Sequence, residues 1–189
     1  ELDLRIQSKV ETFIKDQSPE LIIDAAAVVG GIWANNNAPY QFLMDNMLIQ
    51  NNLLKASVNC NVKKFIFLGS SCIYPKLASQ PIKEEYLLSG PLEETNQWYA
   101  LAKITGVKLV ESIRKEYGFD YVSLMPTNLY GPNDNFDEMT SHVIPGMISK
   151  FHKAKIENLN SVKLWGDGSP LREFLYVDDL ADAIFLFIN

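Results

Sequence analysis

Tyr99 and Lys103 stand four residues apart in Tyr99-Ala100-Leu101-Ala102-Lys103, a spacing that puts a phenol and an ammonium on one face of a helix. An ammonium beside a phenol favours phenolate. The pair is therefore expected to lower the tyrosine's pKa toward the range where it exchanges a proton with a substrate oxygen. The alternative is a solvated helix face that does no chemistry. Upstream, the apolar run ending at Leu68 gives way to Gly69-Ser70-Ser71-Cys72, two hydroxyls and a thiol where a chain leaves a sheet. Read structurally, the serines cap a helix and the thiol is buried. Read chemically, they occupy the carboxyl end of a strand, where α/β sheets hold ligands, and Asn128 follows another strand in the same way.

The other candidates stand singly. His142 follows Ser141 at the start of a helical stretch, and a capping or surface role is its default. His152 lies among Lys150, Lys153 and Lys155 and reads as part of a solvated face. The two are ten residues apart and on different helical faces, so they form no i, i+4 metal pair, and no metal site is expected. Arg172 follows the turn Gly166-Asp167-Gly168-Ser169-Pro170. Its guanidinium fork suits phosphate oxygens, or an ion pair with Glu173. Trp165 either stacks on a ring or packs. Asp178 and Asp179 read as a helix N-terminal cap and favourable dipole charges rather than an acid–base pair.

Positioning these residues requires alternating strands and helices. Leu21-Ile22-Ile23, ending at Asp24, predicts a buried parallel strand preceded by a helix from about Ile6 to Lys15. A loop carries Gly30-Gly31 and Asn35-Asn36-Asn37. Phe42, Met44, Met47, Leu48, Leu53 and Leu54 then fall at mainly helical spacing between about Gln41 and Val58. A strand over Lys63 to Leu68, a long helix from about Gln97 to Tyr117 closed by Gly118, and a strand from Tyr121 to Met125 stopped by Pro126 complete the alternation. Such an order implies right-handed crossovers and a parallel sheet covered on both faces, a doubly wound α/β fold. Beyond Gly131-Pro132 a polar loop, a helix near His142 to Ala154, a short strand Val162 to Trp165 and a last helix after Asp178-Asp179 are expected.

The 189 residues, 47% hydrophobic and 21% charged, suffice for one sizeable core and exclude disorder, collagen and coiled coil. A formal charge of -6, from 17 basic and 23 acidic residues with no basic run, argues against nucleic acid or an acidic membrane as partner. No stretch of about 18 apolar residues is present. Cys60 and Cys72 make a poor disulfide framework, so a cytoplasmic location is expected. Gly-x-Gly-x-x-Gly is absent, and a phosphate cradle of that kind would lie upstream of Glu1.

Together these motifs resemble the extended short-chain dehydrogenase/reductase family, and within it a branch acting on GDP-sugars. The carriers are Ala25-Ala26-Ala27, Val29-Gly30-Gly31-Ile32, Leu68-Gly69-Ser70-Ser71-Cys72-Ile73-Tyr74-Pro75, Tyr99-Ala100-Leu101-Ala102-Lys103, Pro126-Thr127-Asn128-Leu129-Tyr130-Gly131-Pro132, Ser141-His142-Val143-Ile144-Pro145 and Arg172-Glu173-Phe174. The resemblance implies NADPH-dependent epimerisation at C3 and C5 and reduction at C4 of a GDP-4-keto-6-deoxy sugar. It implies Ser70, Tyr99 and Lys103 as the reductive triad and Cys72 with His142 as the epimerisation acid and base. It places Leu68, Gly69, Ser70, Ser71, Lys103, Pro126, Thr127, Asn128, Leu129 and His142 beside NADPH/NADP, and Lys150, Trp165 and Arg172 around the GDP-sugar. A homodimer is implied through the helix after the Asn-rich loop and the Tyr99 helix. The implied organisation is a Rossmann-like domain over 1–132 without its first βα unit, part of a substrate lobe over 133–175, and a helix over 176–189 returning to the first domain. Another nucleotide-sugar epimerase or dehydratase of the same family is the alternative, as is a non-catalytic piece that holds dinucleotide weakly or not at all.

Overall fold

The computed structural model describes residues 2–138 and 140–188. In chain order, α1 (Gln7–Gln17) leads into β1 (Leu21–Asp24). Helices α2 (Ile32–Asn37) and α3 (Pro39–Asn59) precede β2 (Lys64–Leu68), and α4 (Gln97–Tyr117) precedes β3 (Asp120–Leu124). The three strands pair in parallel in the order β1-β2-β3, with Ile23 opposite Ile66 and Ile66 opposite Val122. They form the framework of a first unit that runs to Val29 and resumes over Asn35–Met125. This is the expected α/β arrangement of helices and parallel strands.

Consecutive residues Phe65, Ile66 and Phe67 of β2 are all fully buried, as a strand buried on both faces requires. Phe65 and Phe67 join the main core with Val10 and Ile14 of α1, Leu53 and Leu54 of α3, and Val110 and Ile113 of α4. The helix ends follow local chemistry. Pro39 occupies the first turn of α3, where its missing N–H costs nothing. Gly118 closes α4 at φ 70°, its N–H bonded to the carbonyl of Arg114.

Gly106 sets how near α4 comes to β2. A Cβ there would overlap the Phe67 ring and lie 2.9 Å from Gln50 Oε1. The Gln50 side chain is itself buried and donates from Nε2 to the Ala102 carbonyl at 2.7 Å, tying α3 to α4. Gly106→Ala is therefore expected to destabilise the fold by ~1–3 kcal/mol through overpacking, although alanine is the better helix former. Thermal unfolding checks this: an unchanged or raised Tm contradicts the close approach.

The second unit comprises Gly30–Ala34 and the residues from Pro126 onward. Its strands β4 (Asn128–Tyr130) and β5 (Phe174–Tyr176) pair in parallel, flanking α5 (Val143–Ile156) in sequence, and α6 (Val177–Ile188) follows β5 directly. Several expectations change here. Val162 to Trp165 is not a strand: Lys163, Leu164 and Trp165 are exposed and the chain turns at once through Gly166 and Gly168, both at positive φ. The ladder forms instead between Asn128–Tyr130 and Phe174–Tyr176. The loop after Gly31 contains the short helix α2, and Asp178 and Asp179 lie within the first turn of α6. The two compact units divide at Met125–Pro126, and α6 belongs to the second.

Candidate active site

At its carboxyl end β2 runs into Gly69, whose N–H donates to the Leu124 carbonyl at 2.8 Å. A Cβ on Gly69 would lie 2.8 Å from Met125 Sδ and 3.2 Å from that carbonyl, so a larger residue would require both to give way. Ser70 is the N-cap of a single 3-10 turn, Ser71–Ile73, and its Oγ accepts from the Cys72 N–H at 3.4 Å. The capping role is real, and it also fixes the thiol beside the strand end. Burial pushes the Cys72 thiol up, partly offset by the Ser70 hydroxyl and the positive charge of Lys103.

Helix α4 brings Tyr99 and Lys103 to the same place. Lys103 is only 4% exposed. Its Nζ donates to the Leu68 carbonyl at 2.7 Å and sits 4.8 Å from the Phe67 ring centroid and 5.7 Å from that of Tyr99. The expected lowering of the tyrosine pKa is overturned. Burial pushes Tyr99 well above the usual phenol range, and the negative charges of Cys72 and Asp24 add to it. Burial likewise pulls the Lys103 ammonium down, with Asp24 and Cys72 opposing. Tyr99 is thus held neutral, as a proton donor.

Asp24 was legible only as a strand end. In the structure it is 2% exposed, accepts from the Ala26 N–H at 3.1 Å through Oδ1, and leaves Oδ2 buried without a hydrogen-bond partner. Burial raises its carboxyl to about 6, against the pull of Lys103. A charged residue closing a buried parallel strand is the signal that could have marked it.

The remaining candidates lie in the second unit. Asn128 opens β4 and its Nδ2 donates to the Glu173 carbonyl at 2.9 Å. Leu129 lies within β4, while Pro126 and Thr127 precede it; Thr127 Oγ1 is buried without a partner. Exposed His142 is the N-cap of α5 but makes no side-chain capping bond. Just before it in sequence, Thr140 and Ser141 meet Gly31: the Gly31 N–H donates to the Thr140 carbonyl at 3.2 Å, and a Cβ on Gly31 would lie 3.0 Å from the Ser141 carbonyl oxygen. Lys150 and Trp165 come together, Nζ lying 4.3 Å from the ring centroid, with the indole still 61% exposed. Arg172 makes no ion pair with Glu173; Nη1 donates to the Leu171 carbonyl at 2.7 Å. Among the described residues no group of three or more His, Cys, Asp or Glu is arranged to hold a metal ion. No described helix is long and apolar enough to cross a membrane.

The chain is similar to several known proteins. GDP-L-fucose synthase 1 of Arabidopsis thaliana is 54% identical over 189 residues, covering 100% of this chain and 58% of its own length. GDP-L-colitose synthase of Yersinia pseudotuberculosis is 48% identical, covering 100% of this chain and 62% of its own length. A solved GDP-L-fucose synthetase from Naegleria fowleri, bound to NADP, superposes with a TM-score of 0.86 at 35% identity, over 98% of this chain and 61% of that one. The chain spans about three fifths of the length of these relatives. Since the family model also matches residues 1–189, the chain belongs to the NAD dependent epimerase/dehydratase family.

Proposed function

We propose that the protein converts GDP-4-keto-6-deoxy-D-mannose to GDP-L-fucose, inverting C3 and C5 and then reducing C4 with NADPH. One observation carries this reading: the Ser70–Cys72 turn and the Tyr99–Lys103 face meet at the carboxyl end of β2, with thiol, phenol and ammonium near enough to act on one another's charge. The similar fucose synthases and the NADP-bound Naegleria structure support the substrate and cofactor.

The residues fit a dinucleotide. Lys103 uses one of its ammonium donors on Leu68 and keeps others for ribose hydroxyls. Leu68, Gly69, Ser70, Ser71, Pro126, Asn128, Leu129 and His142 complete the proposed lining. Bound NADPH supplies the hydride that reduces C4. Neutral Tyr99 donates its phenolic proton to the C4 oxygen, Ser70 hydrogen-bonds the same oxygen, and Lys103 holds the ribose. Cys72 and His142 move the protons at C3 and C5, which the C4 ketone acidifies. Lys150, Trp165 and Arg172 hold the GDP-sugar. The face bearing Lys150 and Trp165 offers a cation and an open indole ring, suited to phosphate and to base stacking.

A homodimer is part of the proposal. Tyr40, Met44 and Leu48 form one exposed stripe on α3, and Trp98 and Leu101 are exposed on α4, while Phe42, Leu53 and Leu54 of α3 turn into the core. The free thiols of Cys60 and Cys72 suit a reducing cytoplasm. The protein supplied with GDP-4-keto-6-deoxymannose is expected to consume NADPH absorbance; no loss of absorbance rejects the reading. The Yersinia relative favours a second reading, another reductase of keto-deoxy GDP-sugars, which would use the same Tyr99 and Lys103. Activity on that relative's substrate with none on GDP-4-keto-6-deoxymannose would select it.

A further inference from the structure

We propose that Asp24 is a positioning residue, a buried counter-charge that holds the Lys103 ammonium at the carboxyl edge of the sheet and governs the charge state of the Tyr99–Lys103 pair. The inference rests on the reductive reading of that pair but is tested independently of turnover.

Register carries the placement. Asp24 pairs with Phe67 across β1 and β2, so the two side chains share a sheet face. The Lys103 ammonium lies over that same Phe67 ring and bonds the next carbonyl, Leu68. Asp24 and Lys103 are 2% and 4% exposed, and Asp24 Oδ2 has no hydrogen-bond partner. The ionisable groups facing them are Tyr99 from α4 and Cys72 from the turn after β2. Helix α3 contributes the neutral amides of Asn46 and Gln50, whose donors go to Val28, Phe42 and Ala102.

Burying this carboxylate costs stability. Its pKa is raised on folding, from 3.8 to about 6, so the folded state binds the proton more tightly. The associated stability is fully present below the unfolded value and is lost as pH rises through about 6. A residue kept only for stability would not be an ionised aspartate here. Its negative charge raises the Lys103 ammonium's affinity for its proton and keeps Tyr99 protonated, which are the states the reduction requires.

Asp24→Asn keeps the shape and the acceptor for Ala26 while removing the charge. In the substrate-free protein, 13C NMR of the lysine Cε signals, with Lys103 assigned through Lys103→Met, is expected to show the Lys103 midpoint moved to lower pH in D24N and restored in Asp24→Glu. The Tm of D24N at pH 7.5 is expected to equal or exceed that of the parent. The alkaline limb of kcat for the reduction is expected to move to lower pH. An unchanged Lys103 midpoint in folded D24N overturns the proposal whatever the activity, and so does a lowered Tm with unchanged pH profiles. If the Lys103 midpoint moves but the protein reduces no keto-sugar, the positioning role stands and the reductive reading fails.

Discussion

Tyr99→Phe is expected to lower kcat for NADPH oxidation by ~10²–10⁴-fold, the usual contribution of a positioned general acid, while solvent deuterium still enters the substrate at C3 and C5. The expectation follows from where the phenol sits. Burial and the charge of Asp24 hold it neutral, so its proton is available when negative charge develops on the C4 oxygen. Phenylalanine keeps the ring against Lys103 and removes only the hydroxyl that carries that proton. Stopped-flow NADPH absorbance and the isotopic content of recovered substrate read the two halves separately. A parallel loss of exchange would show that Tyr99 also serves the epimerisation.

The second large effect is the converse. Cys72→Ser and His142→Ala are each expected to cut deuterium incorporation at C3 and C5 by ~10²-fold or more. Inversion requires a proton to leave one face of the carbon and another to arrive on the opposite face, which one fixed group cannot do. Burial favours the neutral thiol of Cys72, and the proposal pairs it with His142 as the second proton-transfer group. Serine retains the size and the Ser70-capped turn but has a far weaker acid. Equal losses of exchange in Cys72→Ser, His142→Ala and Tyr99→Phe would mean that the roles are wrongly divided.

Much of the scaffold was legible because its signals are local. The apolar run to Leu68, the helical spacing from Gln97 and the stop at Gly118 each depend on a few neighbouring residues, and β2 and α4 lie where those residues put them. The Tyr99–Lys103 face was legible for the same reason. What failed depends on residues far apart in sequence. Three-residue strands bounded by Pro126, Gly131 and Pro132 carry too few positions for an alternation to show, so the β4–β5 ladder leaves no trace in the sequence while Val162–Trp165 reads as a strand. The direction of the Tyr99 shift is hidden from the sequence because spacing reveals Lys103 but not burial, nor a carboxylate arriving from β1. Asp24 does not stand out in the sequence, since a charge closing an apolar run reads first as the end of a strand. Its burial becomes visible only when Phe67 and Lys103 are brought against it.

The most direct test of the central claim is the product formed from GDP-4-keto-6-deoxymannose and NADPH in deuterium oxide, analysed by NMR for configuration and isotope position. GDP-L-fucose carrying deuterium at C3 and C5 is the predicted result. A reduced product that keeps the starting configuration at C3 and C5, without deuterium at either carbon, would contradict it and leave a simple 4-ketoreductase.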